Sequence, residues 1–290
     1  MSVFREDVMK GKAAMITGGG SGIGLGIATT LVSHGAQVCI SGRREEVLKE
    51  AVAQLNKIKA RSACYQVGDV RDFDSCKSMA AKCAQEFGRI DLLVNNAAGN
   101  FTTAMEDLSP KALKTVMEID FHGSYNMAQA CLSELKKTQG LVVNISATLY
   151  YKVFPFQMHA SAAKAAIDVM TNSMGVEWGA EHKIRAVSIA PGPIEGTVGG
   201  PTGRVFGGMG GLPKDVSHMV PIGRFGTVDD IANCVLFLAT PAGGFINATK
   251  IVVDGGHWHE ASDLFLKGRQ FIQQKSSAEL QGRRDNRSKL

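Results

Sequence analysis

Thr17-Gly18-Gly19-Gly20-Ser21-Gly22-Ile23-Gly24 is the stretch on which the reading of the fold turns. Ahead of it, Lys12–Thr17 is a short apolar run with the character of a buried strand, and Ile23–Ser33 behind it carries helical spacing. Gly18 permits a tight turn, Gly22 lets the backbone approach a pyrophosphate, and Gly24 allows helix and strand to pack closely. Ser21 and Ile23 stand at the helix start, where unpaired N–H groups and the positive end of the helix dipole meet phosphate charge. Strand, glycine turn and helix in that order point to a bound dinucleotide.

Outward from this unit, strands and helices alternate to the end of the domain. Ala36–Ser41, Arg61–Val67, Asp91–Asn95, Leu141–Ser146, Arg185–Ala190 and Lys250–Val253 read as further strands. Glu45–Ile58, Phe73–Phe87, Pro110–Lys136, Pro155–Gly179 and Val228–Ala239 read as the helices between them. Apolar strands separated by helices require a parallel sheet covered on both sides. The expected fold is α/β: a single-domain, doubly wound Rossmann fold over residues 1–256, with a seven-stranded parallel sheet and helices on both faces. Residues 191–221 depart from the pattern, being rich in Gly and Pro, and are expected to form a substrate loop. Residues 257–290 form a polar, basic extension with one helical stretch at Asp263–Gln274.

Composition narrows the function classes. With 44% hydrophobic and 20% charged residues the chain is not disordered throughout, and no apolar run approaches the roughly 20 residues of a membrane span. The first ten residues are short and mixed in charge, unlike a secretory signal. Net charge is +5, but residues 263–290 hold seven basic side chains against three acidic ones, so the body is nearly neutral. That argues against nucleic acid as the partner. The six cysteines, Cys39, Cys64, Cys76, Cys83, Cys131 and Cys234, show no zinc or redox spacing, so reduced thiols and no metal site are expected.

The second strand ends Ser41-Gly42-Arg43-Arg44, two arginines where an NAD site carries a carboxylate for the ribose hydroxyls. Arg43 and Arg44 suit a 2′-phosphate instead, which favours NADPH. Gly68-Asp69-Val70 ends the third strand, Asn95-Asn96-Ala97-Ala98-Gly99 the fourth, and Pro191-Gly192-Pro193-Ile194 follows the sixth. Together with the glycine turn, over residues 10–256, these motifs resemble the short-chain dehydrogenase/reductase family in order and spacing. The resemblance implies Asp69 and Val70 at the adenine, Asn96 and Ala97 along the cofactor, and Pro191, Gly192, Ile194 and Thr197 around the nicotinamide. It also implies a homotetramer.

Where that family carries an Asn, Ser, Tyr, Lys tetrad, this chain keeps only the lysine, Lys164. The tyrosine position is Ala160, the serine position Ala147 and the asparagine position Asp120. A ketone reductase needs the phenol to protonate an alkoxide. Conjugate reduction needs its oxygen stabilised and a proton delivered to carbon. Asn144-Ile145-Ser146-Ala147-Thr148-Leu149, His159-Ala160-Ser161-Ala162-Ala163-Lys164, Asn100-Phe101 and Pro191–Thr197 resemble the peroxisomal 2,4-dienoyl-CoA reductases. The mitochondrial enzymes of that activity have tyrosine where this chain has Leu149. Tyr150, one step along an expected extended segment, should point to the opposite side.

The resemblance implies NADPH-dependent reduction of a 2,4-dienoyl-CoA to a trans-3-enoyl-CoA in peroxisomal β-oxidation. Open alternatives are another peroxisomal acyl-CoA reductase, acting on 2-enoyl or 3-ketoacyl substrates, and a catalytically silent NADPH-binding scaffold. In the first reading Asp120 orients a proton-donating water or passes the proton itself, against the plain reading of a structural ion pair. Lys164 bridges the nicotinamide ribose and lends charge to the dienolate. Arg71, Phe101 and Arg204 contact the acyl-CoA, the arginines otherwise being surface charges. Asp168 is expected to pair with Lys164 one helical turn away, His159 to be a structural histidine or a pocket group, and Ser146 to bond backbone. Ser288-Lys289-Leu290 reads as a peroxisomal targeting tripeptide for an import receptor, with the peroxisomal matrix as destination.

Overall fold

The structure is a computed structural model that describes residues 3–151, 154–197, 199–200, 203 and 219–259. Arg204, most of the 191–221 loop and the extension from residue 260, with Ser288-Lys289-Leu290, lie outside the described residues.

All seven expected strands form: β1 (Ala13–Thr17), β2 (Gln37–Gly42), β3 (Ala63–Val67), β4 (Leu92–Asn95), β5 (Leu141–Ile145), β6 (Arg185–Pro191) and β7 (Thr249–Val253). They make one parallel sheet in the order β3-β2-β1-β4-β5-β6-β7. The chain leaves β1 toward one edge and returns through β4 toward the other, so the crevice opens above β1 and β4, where such sheets bind ligands.

Side-chain alternation along each strand feeds two cores. Ala14 and Ile16 of β1 pack with α1 (Gly22–Ser33), α2 (Glu45–Ile58) and α7 (Val228–Ala239). Met15 faces the opposite way, toward α3 (Phe73–Phe87), α5 (Gly123–Thr138) and α6 (Met158–His182). The α1–α7 contact is close because Gly26 has no side chain: a Cβ there would lie 1.9 Å from Val228 Cγ1. Toward the C-terminal ends the strands turn polar, and Asn95, Asn144, Ser188 and Lys250 are partners across β4, β5, β6 and β7.

Two helices differ from their sequence reading. The run expected from Pro110 to Lys136 is α4 (Pro110–Met117) and α5, joined by a π-helical turn over Glu118–His122 in which the Gly123 N–H donates to the Glu118 carbonyl. One inserted residue leaves apolar periodicity nearly unchanged, which is why the turn is invisible in the pattern. Helix α6 runs on past Gly179 to His182. Gly179 is no stop signal there; its missing side chain makes room for Asn247, whose Nδ2 would lie 2.8 Å from a Cβ.

The six thiols are free. Cys39, Cys76, Cys83 and Cys131 are wholly buried, and Cys64 and Cys234 partly so. Burial pushes the Cys76 thiol up to about 12 and Cys234 to about 11.

Candidate active site

A cleft of about 1190 Å³ runs along the C-terminal ends of the strands. One half is built by the glycine turn. Gly18 has φ +63° and Gly22 φ +53°, backbone conformations that favour glycine. A Cβ on Gly24 would stand 2.4 Å from the Gly18 carbonyl oxygen, so the turn closes only because that side chain is absent. At Gly22 a Cβ would meet nothing nearer than Thr197 Cγ2 at 3.9 Å, leaving space above the helix start. Ser21 precedes α1 without capping it, so the first N–H groups of the helix stay open to the cleft.

Gly18, Ser21, Gly22 and Ile23 line this half, with Arg43 and Arg44 at its far end. Asn96 braces the turn from β4, its Nδ2 donating to the carbonyls of Thr17 (3.0 Å) and Gly18 (3.1 Å). Asp69, Val70 and Ala97 form the next stretch of wall. Pro191, Gly192, Ile194 and Thr197 border the cleft from the end of β6. Gly24 lies behind the lining and acts through packing alone. An open helix start and a glycine cradle fit the phosphates of a nicotinamide dinucleotide.

The other half brings Asp120 and Lys164 together. Asp120 projects from the π-helical turn and is 1% exposed, and Lys164 reaches across from α6. Their Oδ2 and Nζ atoms are 3.1 Å apart. Asp120 Oδ1 accepts from the Gly99 N–H (2.7 Å), and Lys164 also donates to the Ile145 carbonyl (3.0 Å). Both side chains line the cleft, as do Ala147 and Ala160 at the two positions where the family pattern has hydroxyls. Ser146 lines it too, its hydroxyl 3.5 Å from the Lys164 carbonyl.

Asp168 does not pair with Lys164. The lysine turns into the cleft toward Asp120, and Asp168 accepts instead from the Tyr150 hydroxyl. Tyr150 does point away from the cleft, though by a different route from the one expected: Thr148–Tyr150 is a 3₁₀ turn, not an extended segment. Lys250 donates to the Tyr150 hydroxyl at 3.0 Å and lies 4.5 Å from the Tyr151 ring centre. Burial, with Asp168 beside it, pushes the Tyr150 phenol up, and Tyr151 rises to about 12 for the same reasons.

His159 sits behind the lining. Its ring stacks on Phe101 (centroids 4.3 Å apart) and its Nε2 donates to the Phe101 carbonyl at 3.0 Å. Burial holds its pKa below the usual imidazole range. Phe101 itself faces the cleft. Arg71 is outside the lining: its guanidinium folds back on Asp69 with contacts of 2.5–3.0 Å and holds that carboxyl below the usual carboxylate range.

Several wall residues escaped the sequence reading. Thr115, Ile119, Phe154, His257 and Trp258 all line the cleft. The last two follow Gly255 and Gly256, whose positive φ values fold the chain back after β7. The rule that ligands sit beyond the carboxyl ends of the strands was the available signal for them. Among the described residues no cluster of His, Cys, Asp or Glu could hold a metal ion, and no helix is long and apolar enough to cross a membrane.

A doubly wound sheet with this glycine turn and a lysine-bearing helix beside the nicotinamide end defines a class of nicotinamide-dependent oxidoreductases. The chain belongs to the short-chain dehydrogenase/reductase family, and a family model described as enoyl-(acyl carrier protein) reductase matches residues 18–257. It is similar to the peroxisomal, (3E)-enoyl-CoA-producing 2,4-dienoyl-CoA reductase of Arabidopsis thaliana, with 41% identity over 271 residues, covering 89% of this chain and 88% of that one. Among solved structures, a short-chain dehydrogenase from Bacillus anthracis is 37% identical with TM-score 0.78, covering 86% of this chain and 97% of its own. An actinorhodin polyketide ketoreductase with NADPH is 25% identical with TM-score 0.79, covering 85% and 97%.

Proposed function

We propose that the chain is an NADPH-dependent 2,4-dienoyl-CoA reductase that forms a 3-enoyl-CoA. One observation carries the reading: the buried Asp120–Lys164 pair, 3.1 Å apart, faces a cleft from which both family hydroxyls are missing, at Ala147 and Ala160. The similarity to a relative named for this activity supports it.

The chemistry follows from what those side chains can do. Reduced nicotinamide, when bound, supplies a hydride to the far end of the conjugated diene. Negative charge then moves to the thioester oxygen, where the Lys164 ammonium stabilises it. Asp120, anchored by the Gly99 amide, holds a water aimed at the α-carbon. Protonation there leaves the double bond between C3 and C4, and the balance is one hydride and one proton added. No oxygen is protonated at the end, so the loss of tyrosine and serine costs this reaction little. Phe101, Leu149, Phe154 and Trp258 offer an apolar wall for the acyl chain. Arg71 is available to a CoA phosphate on exchanging its partner Asp69.

Arg43 and Arg44 support NADPH over NADH. A homotetramer is supported by the family and by exposed apolar side chains on α5 and α6, Tyr125, Val169 and Val176, and light scattering tests it. The peroxisomal address is supported by the relative's printed name and by Ser288-Lys289-Leu290. A fluorescent fusion with and without that tripeptide tests matrix import.

The deciding assay is NADPH consumption with a short 2,4-dienoyl-CoA beside a 3-ketoacyl-CoA and a 2-enoyl-CoA. Turnover of the first alone is expected. Turnover of a 3-ketoacyl-CoA, or cofactor binding without any consumption, overturns the proposal in favour of another reductase or a silent scaffold.

A further inference from the structure

Beneath the cleft, a chain of buried side-chain hydrogen bonds runs from α6 through β5 and β4 to the π-helical turn. Thr171 Oγ1 donates to the Ile167 carbonyl (2.7 Å) and accepts from Asn144 Nδ2 (2.8 Å). Asn144 Oδ1 accepts from Asn95 Nδ2 (2.8 Å), and the same Asn95 amide donates to the Ser124 carbonyl (3.1 Å). Ser124 Oγ donates in turn to the Asp120 carbonyl at 2.6 Å. None of Thr171, Asn144, Asn95, Ser124 and Asp120 is more than 5% exposed, and of the five only Asp120 lines the cleft.

The bonds have one consistent sense. The Ser124 main-chain carbonyl accepts from the Asn95 amide nitrogen, which fixes that amide's orientation. Thr171, whose hydroxyl donates to the Ile167 carbonyl, accepts from the Asn144 nitrogen, so that Asn144 presents its oxygen to Asn95. Polar side chains under a sheet are costly unless bonded, and apolar residues of similar size fill such positions without that demand. Every donor group of the row is engaged, while Asn95 Oδ1 is buried with no partner among the described residues. What distinguishes this row is where its ends lie. Ile167 follows Lys164 on α6 by three residues, and Asp120 is the centre of the π-helical turn. That turn is held by an i to i−5 bond, from the Gly123 N–H to the Glu118 carbonyl, a rare geometry inside helices that recurs at functional sites.

We propose that Asn95, Asn144 and Ser124 are positioning residues that brace the π-helical turn against α6 and so set the separation of Asp120 from Lys164. The proposal rests on the reading of Asp120 and Lys164 as the pair that serves the reaction. It adds that residues touching neither cofactor nor substrate govern turnover.

Ser124→Ala removes the hydroxyl and little volume, Ser124→Thr restores it, and Thr171→Val opens the far end of the row. The first readout needs no ligand: the hydrogen-exchange rate of the Gly99 amide, which donates to Asp120 Oδ1, followed by NMR on perdeuterated protein. In Ser124→Ala it should rise at least about tenfold and return in Ser124→Thr. The second readout is steady-state kinetics, where kcat for a 2,4-dienoyl-CoA should fall about ten- to a hundredfold with KM for NADPH unchanged. Thr171→Val should move both readouts the same way and less. Unchanged Gly99 exchange in Ser124→Ala overturns the proposal, as does a loss of kcat that Ser124→Thr fails to restore. If the unaltered enzyme reduces no dienoyl-CoA, the functional reading falls while Gly99 exchange still decides this one. If Ser124→Ala does not fold, Thr171→Val carries both measurements.

Discussion

The two halves of the cleft are specified in different ways. The cofactor half is written in backbone: Gly18 and Gly22 at positive φ, Gly24 against the Gly18 carbonyl, and the open start of α1. The acyl half is written in side chains drawn from remote segments, with Asp120 and Lys164 meeting across α6 and the π-helical turn. Backbone geometry tolerates few substitutes, so the first half keeps its family pattern. Side chains can be exchanged singly, and there the chain has lost a phenol and a hydroxyl while gaining a carboxylate. Cofactor recognition and reaction type can therefore change independently on one scaffold.

The largest test of that separation is Asp120→Ala. Turnover of a 2,4-dienoyl-CoA should fall by about two to four decades, while NADPH affinity, read by fluorescence titration, stays put. An equal fall in affinity would break the comparison. The converse is Arg43→Ala with Arg44→Ala, which should raise KM for NADPH by about ten- to a hundredfold and leave NADH kinetics alone.

Gly24→Ala sharpens the backbone side of the contrast. Its Cβ meets a carbonyl oxygen that cannot swing aside, so a loss of about 1–3 kcal/mol in urea unfolding is expected, together with weaker cofactor binding. The smallest effect belongs to the α7 capping box, which supports α1 through Val228 and Gly26. The Arg224 guanidinium, with Thr227, holds the Asp230 carboxyl at about 2. A carboxyl lowered on folding adds stability above its unfolded value, near about 3.9, that is lost as pH falls toward the folded one. Asp230→Asn should cost about 1 kcal/mol at neutral pH and flatten the acid limb of a thermal-stability profile between pH 4 and 2.

The same contrast explains what the sequence disclosed. Central parallel strands are unbroken apolar runs, whereas the edge strand β3 carries Gln66 and ends on an exposed Val67. Expected from Arg61 and found from Ala63, it ends at Val67 in both readings. The glycine turn was legible because its geometry demands its residue types. The π-helical turn was not, since a single extra residue between Met117 and Gly123 does not disturb a 3.6-residue pattern. Asp120 and Lys164 stand 44 positions apart, and only the family pattern put them in one site. Arg71 was placed by the same route, and in the fold a local carboxylate, Asp69, engages its guanidinium. Phe154 and Trp258 are wall residues by topology alone and carry no local signal.

The packing of the cysteines has a chemical consequence. Nucleophilic attack by sulfur requires the thiolate, and burial pushes the Cys76, Cys131 and Cys234 thiols well above neutrality. Hydrogen bonding to Cys39 and then burial raise Cys64, and at Cys39 the lowering bond with Cys64 is outweighed by the bond with Cys83 and burial. With so little anionic sulfur on offer, the folded enzyme should resist peroxide and react sluggishly with iodoacetamide.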